Sequence, residues 1–438
     1  MPDDSVFVKH PPGFRARRGL NWTFVGLLYT SFYMCRYNLS IANSAISGEF
    51  GFTKKQMGEI ITTALIAYAC GQIVNGLLTD RLGGKRAMLI GAAGTVVMNI
   101  LFGVASFWGL LSLFVVIRGI DGYMQAFGAP GMVKINAAWF RHNERGRFAG
   151  IFGFMINLGR FGIFKIGPAL LAGFGFLGLI QIPPLHWRWL FWIPAGIAVL
   201  IGTCMALIVK DTPEEVKFPP VNPEEGVGGQ VQANVLDVFK TIVTNPVIWI
   251  IALAYACTGS VRQGIDQWFP RFMLEVHHVD YQSAQFQFLG FLIPFVASVG
   301  SLASGYISDT VFGGRRAPVA AGLYFLETII ILAAAQFHSV NAAIVFLVLI
   351  SLTANATHSI LGTAAAMDIG GAKMAGFASG VIDSFQYFGG SLAGIFLGAF
   401  LDRSWGWYFY FMAPFGLIGG TLMLSILGRV TLAKPKKL

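Results

Sequence analysis

The sequence predicts an all-α membrane protein of twelve transmembrane helices in two pseudo-symmetric six-helix bundles. Three observations carry this prediction. Stretches of about twenty apolar residues recur along the whole chain, the length that crosses roughly 30 Å of hydrocarbon as helix. Only 12% of the 438 residues are charged, against roughly 25% in a soluble domain. The pattern of the first half returns in the second.

Residues 1–21 are polar and basic, with Lys9, Arg15, Arg17 and Arg18, and show no cleavable signal pattern. They are expected to be a cytoplasmic N-terminal segment. Apolar runs then place spans at 22–43, 58–79, 87–107, 110–138, 148–173 and 187–209, the first bundle. Residues 210–245, rich in Pro, Glu, Gly and Lys, read as a cytoplasmic linker. The second bundle, 246–428, takes spans at 246–272, 283–308, 317–337, 342–366, 374–401 and 405–428. Residues 429–438 form a basic tail.

The 31 Lys and Arg fix an orientation. With the N-terminus inside, twenty fall in inside segments and five in outside segments or span ends. That bias places both termini in the cytoplasm. The formal charge of +10 therefore belongs to topology, and no nucleic-acid motif accompanies it. Cys35, Cys70, Cys204 and Cys257 all lie in apolar runs, without disulfide or metal spacing. No cofactor, metal or enzymatic nucleophile motif is read, so an enzyme is not expected.

Six cations remain inside the spans: Arg36, Arg118, Lys134, Arg160, Lys165 and Arg262. The acids there are Asp121, Asp266, Glu327 and Asp383. A cation at the bilayer centre costs about 2.5–3.5 kcal/mol on insertion scales, so such residues face a cavity or a partner. A surplus of cations suits an anion. Arg36 and Arg262 occupy equivalent places in the two halves, 14 residues after Trp22 and 13 after Trp249. The repeat predicts that they face each other across the centre. Arg offers a planar fork of donors that matches phosphate. The plainer reading is two unrelated ion pairs, and Asp266, four residues after Arg262, is a ready helix partner for one of them.

The loop GLLTDRLGGKR, with Asp80, Arg81, Lys85 and Arg86, resembles the signature of the major facilitator superfamily. GYISDTVFGGRR, with Asp309, Arg315 and Arg316, is similar to its second copy but lacks the Arg after Asp. The resemblance implies that these seven residues form a cytoplasmic gate. Their plainer role is to set topology. SVRQGIDQWFPRF (260–272), FYMCRYN (32–38), AWFRHNERGRFAG (138–150) and FQYFGGSLAG (385–394) resemble the organophosphate:phosphate antiporter family, and RQGIDQW is nearest its hexose-phosphate branch. The similarity covers nearly the whole chain.

That resemblance implies a secondary transporter of alternating access, acting as a monomer in a bacterial inner membrane. It would exchange a phosphorylated metabolite (sugar phosphate, glycerol phosphate or phosphoglycerate) for inorganic phosphate. It implies that Arg36 and Arg262 bind phosphate and that Lys134 lines the same cavity. Tyr33, Tyr37, Asn157, Arg160, Asp266, Gln267 and Asp383 complete the expected substrate site. Tyr37 stands where many relatives carry Lys, and Ile156 where the glycerol-phosphate branch has a histidine. Arg160 and Lys165 suit a substrate with extra negative charge; their plainer reading is that they pair with acids or snorkel. Tyr29, Tyr68 and Tyr387 are available as hydroxyls or as packing. Two alternatives stay open: a membrane sensor of sugar phosphate, and a proton-coupled carrier of another organic anion using Arg118, Asp121 or Glu327.

Overall fold

The computed structural model describes residues 11–141, 145–176, 180–221, 244–313 and 315–427. Side chains within 145–152 and 363–379, and those of Phe176 and Ile180, are outside that description. Most of the linker 210–245 and the tail 429–438 also fall outside the described residues.

The first half comprises α1 (Phe14–Phe50), α2 (Lys54–Leu82), α3 (Gly84–Ala105), α4 (Leu111–Gln125), α5 (Gly128–Trp139), α6 (Arg145–Ala172) and α7 (Trp189–Ile208). The second comprises α8 (Pro246–His277), α9 (Ala284–Thr310), α10 (Arg316–Ala334), α11 (Val340–Ser359), α12 (Ala366–Arg403) and α13 (Trp407–Leu424). Among the described residues, nine helices are long and apolar enough to cross a membrane. The other three crossings are α1, the broken pair α4–α5, and α8. Two of these carry the paired arginines, so polarity toward the centre lowers their hydropathy. The chain is a multi-pass membrane protein of twelve crossings.

Several boundaries depart from expectation. The first helix starts at Phe14, ahead of the predicted span start at residue 22; Phe14 packs against Trp139 and Phe218, which extends the helix beyond the apolar run. The fourth crossing breaks between Gln125 and Gly128, just before Pro130. Residues 367–373, expected as a loop, are helical: a π-helical turn, Ile360–Ala365, runs α11 into α12, and no Pro interrupts the stretch. A short antiparallel hairpin, β1 (Phe174–Phe176) with β2 (Ile180–Ile182), was not foreseen.

The molecule has two ends. The basic end carries Arg15, Lys85, Lys134, Lys210 and Arg315. The far end carries the α1–α2 and α12–α13 turns and the hairpin. Helices entering from the far end begin with short polar caps. Thr53 and Gln56 form a reciprocal capping box on α2, Ser283 caps α9 and Ser339 caps α11. The halves touch most closely along α2 and α12. A Cβ on Gly58 would run into the backbone of Gly394, so small residues set this crossing.

Candidate functional site

Arg36 sits midway along α1, 6% exposed. Its Nε donates to Gln125 Oε1 at 2.9 Å and its Nη1 to Tyr387 OH of the other half at 3.1 Å. The guanidinium lies over the rings of Tyr68 and Tyr33, 4.2 and 4.5 Å from their centroids. Behind it, Arg118 pairs with Asp121 at 2.7 Å and donates to Cys35 O and Arg36 O. Gln125 Nε2 donates to Asp121 at 3.0 Å. Arg118 and Asp121 thus neutralise each other and hold the α1 backbone and Gln125, which in turn aim Arg36. Arg36 Nη2 is buried and makes no hydrogen bond among the described residues.

Arg262 sits midway along α8, 3% exposed. Asp266 Oδ2 lies 3.9 Å from its Nε, beyond hydrogen-bond reach. The tighter partner of Asp266 is Arg160, from α6 of the first half, with both side chains essentially fully buried. Arg160 also donates to Asn157 Oδ1 at 3.2 Å and faces the ring of Tyr37. Asn157 donates across the halves to Ser298 at 2.8 Å. Asp266 is therefore committed to Arg160, and Arg262 keeps its donors. Tyr33 and Tyr387 lie within electrostatic reach of both Arg36 and Arg262.

Of the ten expected substrate residues, nine gather at the centre. Gln267 borders the small cavity beside Arg36 and Tyr387, and Tyr37 packs between Tyr33 and Phe164. Asp383 accepts from Gln72 Nε2 at 3.1 Å and from Tyr255 OH at 3.4 Å. The cavity is about 20 Å³, room for one water, so a metabolite enters only if the halves part.

Lys134 is elsewhere. It sits at the basic end, donating to Thr79 O at 3.1 Å, Asp80 O at 2.7 Å and the Asp80 carboxylate at 3.4 Å. These carbonyls close the last turn of α2, a natural seat for a cation. The expected charge surplus from Arg160 and Lys165 also shrinks. Arg160 is neutralised by Asp266, and Lys165 points to the carbonyl and side chain of Gln287.

The seven expected gate residues all lie at the basic end. Asp309 pairs with Arg316 at 2.8 Å, and Lys85 N–H donates to Asp211 at 2.7 Å. Arg81, Arg86 and Arg315 are exposed.

The far end holds a cluster that sequence reasoning missed. Both oxygens of Asp402, on α12, accept the backbone N–H groups of Lys54 and Lys55 at 2.7 and 2.9 Å. One half thus caps a helix of the other. Lys54 pairs with Glu275 at 3.3 Å, and Arg271 bonds Glu275, Asn43 and Ser47. Arg271 and Arg403 read as charges of outside segments and span ends that set topology; the cue for this latch was the crowding of Arg271 and Glu275 at the end of a span.

The chain thus presents two facing bundles, one buried arginine from each toward their centre, and a polar cluster that joins them at the far end. A sequence profile described as Major Facilitator Superfamily matches residues 25–394, and the chain belongs to that family. It is 28% identical over 399 residues to the Glycerol-3-phosphate transporter of Bacillus subtilis, covering 87% of this chain and 86% of that one. It is 27% identical over 409 residues to a Chlamydia trachomatis protein named "Probable hexose phosphate transport protein", covering 88% and 85%. Among solved structures, a bacterial homolog of the human lysosomal transporter Spinster, inward-facing and occupied, matches with a TM-score of 0.73 at 16% identity, covering 96% of this chain and 98% of that one; it speaks to the fold alone. Both of these relatives are named as transporters of phosphorylated metabolites, not as enzymes.

Proposed function

We propose that the chain is a secondary transporter that exchanges a phosphorylated organic metabolite for inorganic phosphate by alternating access, with Arg36 and Arg262 as the phosphate-binding pair. The observation that carries this reading is Arg262. It is a buried guanidinium that makes no hydrogen bond among the described residues, and the acid nearest it is committed to Arg160. Such a charge inside a membrane protein is costly to keep and marks a ligand pathway by default. A phosphate dianion between one Arg from each bundle takes donors from both, and hydrogen bonds to charged groups contribute about 1.5–3 kcal/mol each.

Without the anion, two facing cations oppose closure of the centre. With it they are bridged and neutralised, and the bundles rock as one loaded unit. Return without cargo meets the same repulsion, which makes movement an exchange. The Lys and Arg asymmetry supports a cytoplasmic basic end, and the bacterial relatives support an inner membrane. The chain works as a monomer in this scheme, since each monomer holds a full arginine pair.

The test is uptake of labelled phosphate into proteoliposomes. Vesicles loaded with phosphate should accumulate label, and empty ones should not. Arg36→Ala and Arg262→Ala should each abolish exchange while folded protein remains in the membrane. Retained exchange in either variant refutes the arginine pair. Phosphate binding without any exchange points to a sensor instead.

A further inference from the structure

The span α10 turns one stripe inward. Ala320, Tyr324, Glu327, Ile331 and Ala334 recur at three- and four-residue steps and are buried, while Leu326, Ile329 and Leu332 on the other side are exposed. An acid therefore stands in a stripe that packing alone would fill with apolar residues. Glu327 is fully buried, and neither of its carboxyl oxygens has a hydrogen-bond partner among the described residues. The other three acids within the spans are engaged: Asp121 meets Arg118, Asp266 meets Arg160, and Asp383 accepts from Gln72 and Tyr255.

The surroundings of Glu327 are dry and hold no cation among the described residues. Cys257 of α8 and Tyr324, one turn back on α10, lie within electrostatic reach, and Thr353 faces it from α11. Tyr324 is spent on α8: its hydroxyl bonds Ala254 O and lies 2.6 Å from Thr258 Oγ1. Thr353 donates to the carbonyls of its own helix, Leu349 and Ile350. The remaining titratable groups of the elements around α10 point elsewhere. Tyr255 of α8 and His358 of α11 meet each other, and Arg262 and Asp266 of α8 belong to the centre. Tyr408 of α13 bonds Gly264 O, and Tyr410 of α13 accepts from Gln336. On α9, Tyr306 is exposed and Asp309 pairs with Arg316 at the basic end. The π-helical turn Ile360–Ala365 brings no titratable group. A Cβ at Gly416 or Gly419 of α13 would run into Thr328 or Tyr324, so α13 lies close on α10 and shuts out water from that side.

We propose that Glu327 is a proton-binding site and that the proton on it holds α10 against α8. An ionised carboxylate placed in such surroundings without a partner costs far more than carrying a proton there, and an acid inside a span marks a functional site by default. The neutral acid fits the dry contact with Cys257, Tyr324 and Thr353. Loss of the proton leaves an unpaired charge, which is relieved only when the seam between α10 and α8 parts and water enters. The α8 side of that seam is Thr258, one turn before Arg262. The proton state therefore reaches the arginine through the helix that carries both. The proton site itself stands on burial and packing; its effect on exchange rests on the phosphate reading of Arg262.

The experiment is infrared difference spectroscopy of purified full-length protein as pH is raised from neutral. Wild type should show a protonated-carboxyl band that is lost on alkalinisation, and Glu327→Gln should lack it. Where that variant fails to fold, dicyclohexylcarbodiimide, which attacks protonated carboxyls in apolar places, is applied to wild type; the adduct should map to Glu327 and fall as pH rises. The second arm is phosphate exchange in proteoliposomes. The ratio of wild-type to Glu327→Gln rates should fall about tenfold for each pH unit beyond loss of the band, as a single proton requires. A band that never titrates or that persists in Glu327→Gln, or an adduct that is absent or indifferent to pH, overturns the proton site. A rate ratio flat with pH while the band titrates overturns the link to Arg262. A wild type that exchanges no phosphate overturns the transport reading and that link, while the band still decides the site.

Discussion

The far end and the basic end of this molecule use the same chemistry in opposite ways. At the far end, charged groups bond across the halves: Asp402 caps α2, Lys54 meets Glu275, and Arg271 reaches Asn43 and Ser47. At the basic end, the described pairs stay within one half: Lys134 with Asp80, Lys85 with Asp211, and Asp309 with Arg316. Cross-half bonds continue inward as far as Gln72 to Asp383 and Asn157 to Ser298. A carrier that alternates needs one set of contacts to yield as the other forms. Bonds between the halves report which end is closed; bonds within a half keep each bundle rigid while it moves.

The largest predicted effect tests the deepest cross-half pair. Arg160→Ala removes the hydrogen-bonded partner of the buried Asp266 and leaves it only the longer approach to Arg262, which should cost up to about 3–5 kcal/mol. A clear fall in melting temperature checks this, with partial recovery in Arg160→Ala combined with Asp266→Ala. Asp402→Ala should come next. Losing a carboxylate cap typically costs about 1 kcal/mol, here charged to the latched form alone, so the open far end should gain roughly fivefold in population. Spin-label distances across that end would reveal it; an unchanged distribution means the cap does not hold the halves.

A third effect depends on pH. Glu275 lies three residues beyond the predicted span 246–272. Burial alone would raise its carboxyl. Arg271, hydrogen bonds from Arg271 and Trp405, and Lys54 outweigh burial and hold it below the usual glutamate range. A depressed folded value means its stabilisation is full above about pH 4.3 and is lost as pH falls through the folded value. Melting temperature should therefore drop more on acidification in wild type than in Glu275→Gln. The smallest effect belongs to the basic end. Lys134→Ala should cost a few tenths of a kcal/mol and leave far-end distances unchanged, because its partners are in its own half.

These contrasts also show what the sequence can carry. Apolar runs and their repeat made the twelve crossings legible, since spanning hydrocarbon leaves a local signature. Arg36 and Arg262 were legible because charge inside a span is rare and their places repeat. Lys134 was misread: near a span end, hydropathy does not separate a residue that lines the centre from one that closes a neighbouring helix. Arg160 looked like surplus charge because its partner Asp266 is 106 residues away. Gln72 and Tyr255 left no signal at all, being ordinary residues that meet Asp383 only when α2, α8 and α12 converge.

The central claim is that phosphate on the arginine pair moves the two halves. Spin labels at Arg81 and Val311, both exposed at the basic end of opposite halves, would follow that motion in protein freed of native cysteines. Saturating phosphate should shift the distance distribution in wild type toward closure of the basic end, and should leave Arg262→Ala unmoved. A wild-type distribution indifferent to phosphate, or the same shift in Arg262→Ala, would contradict the account.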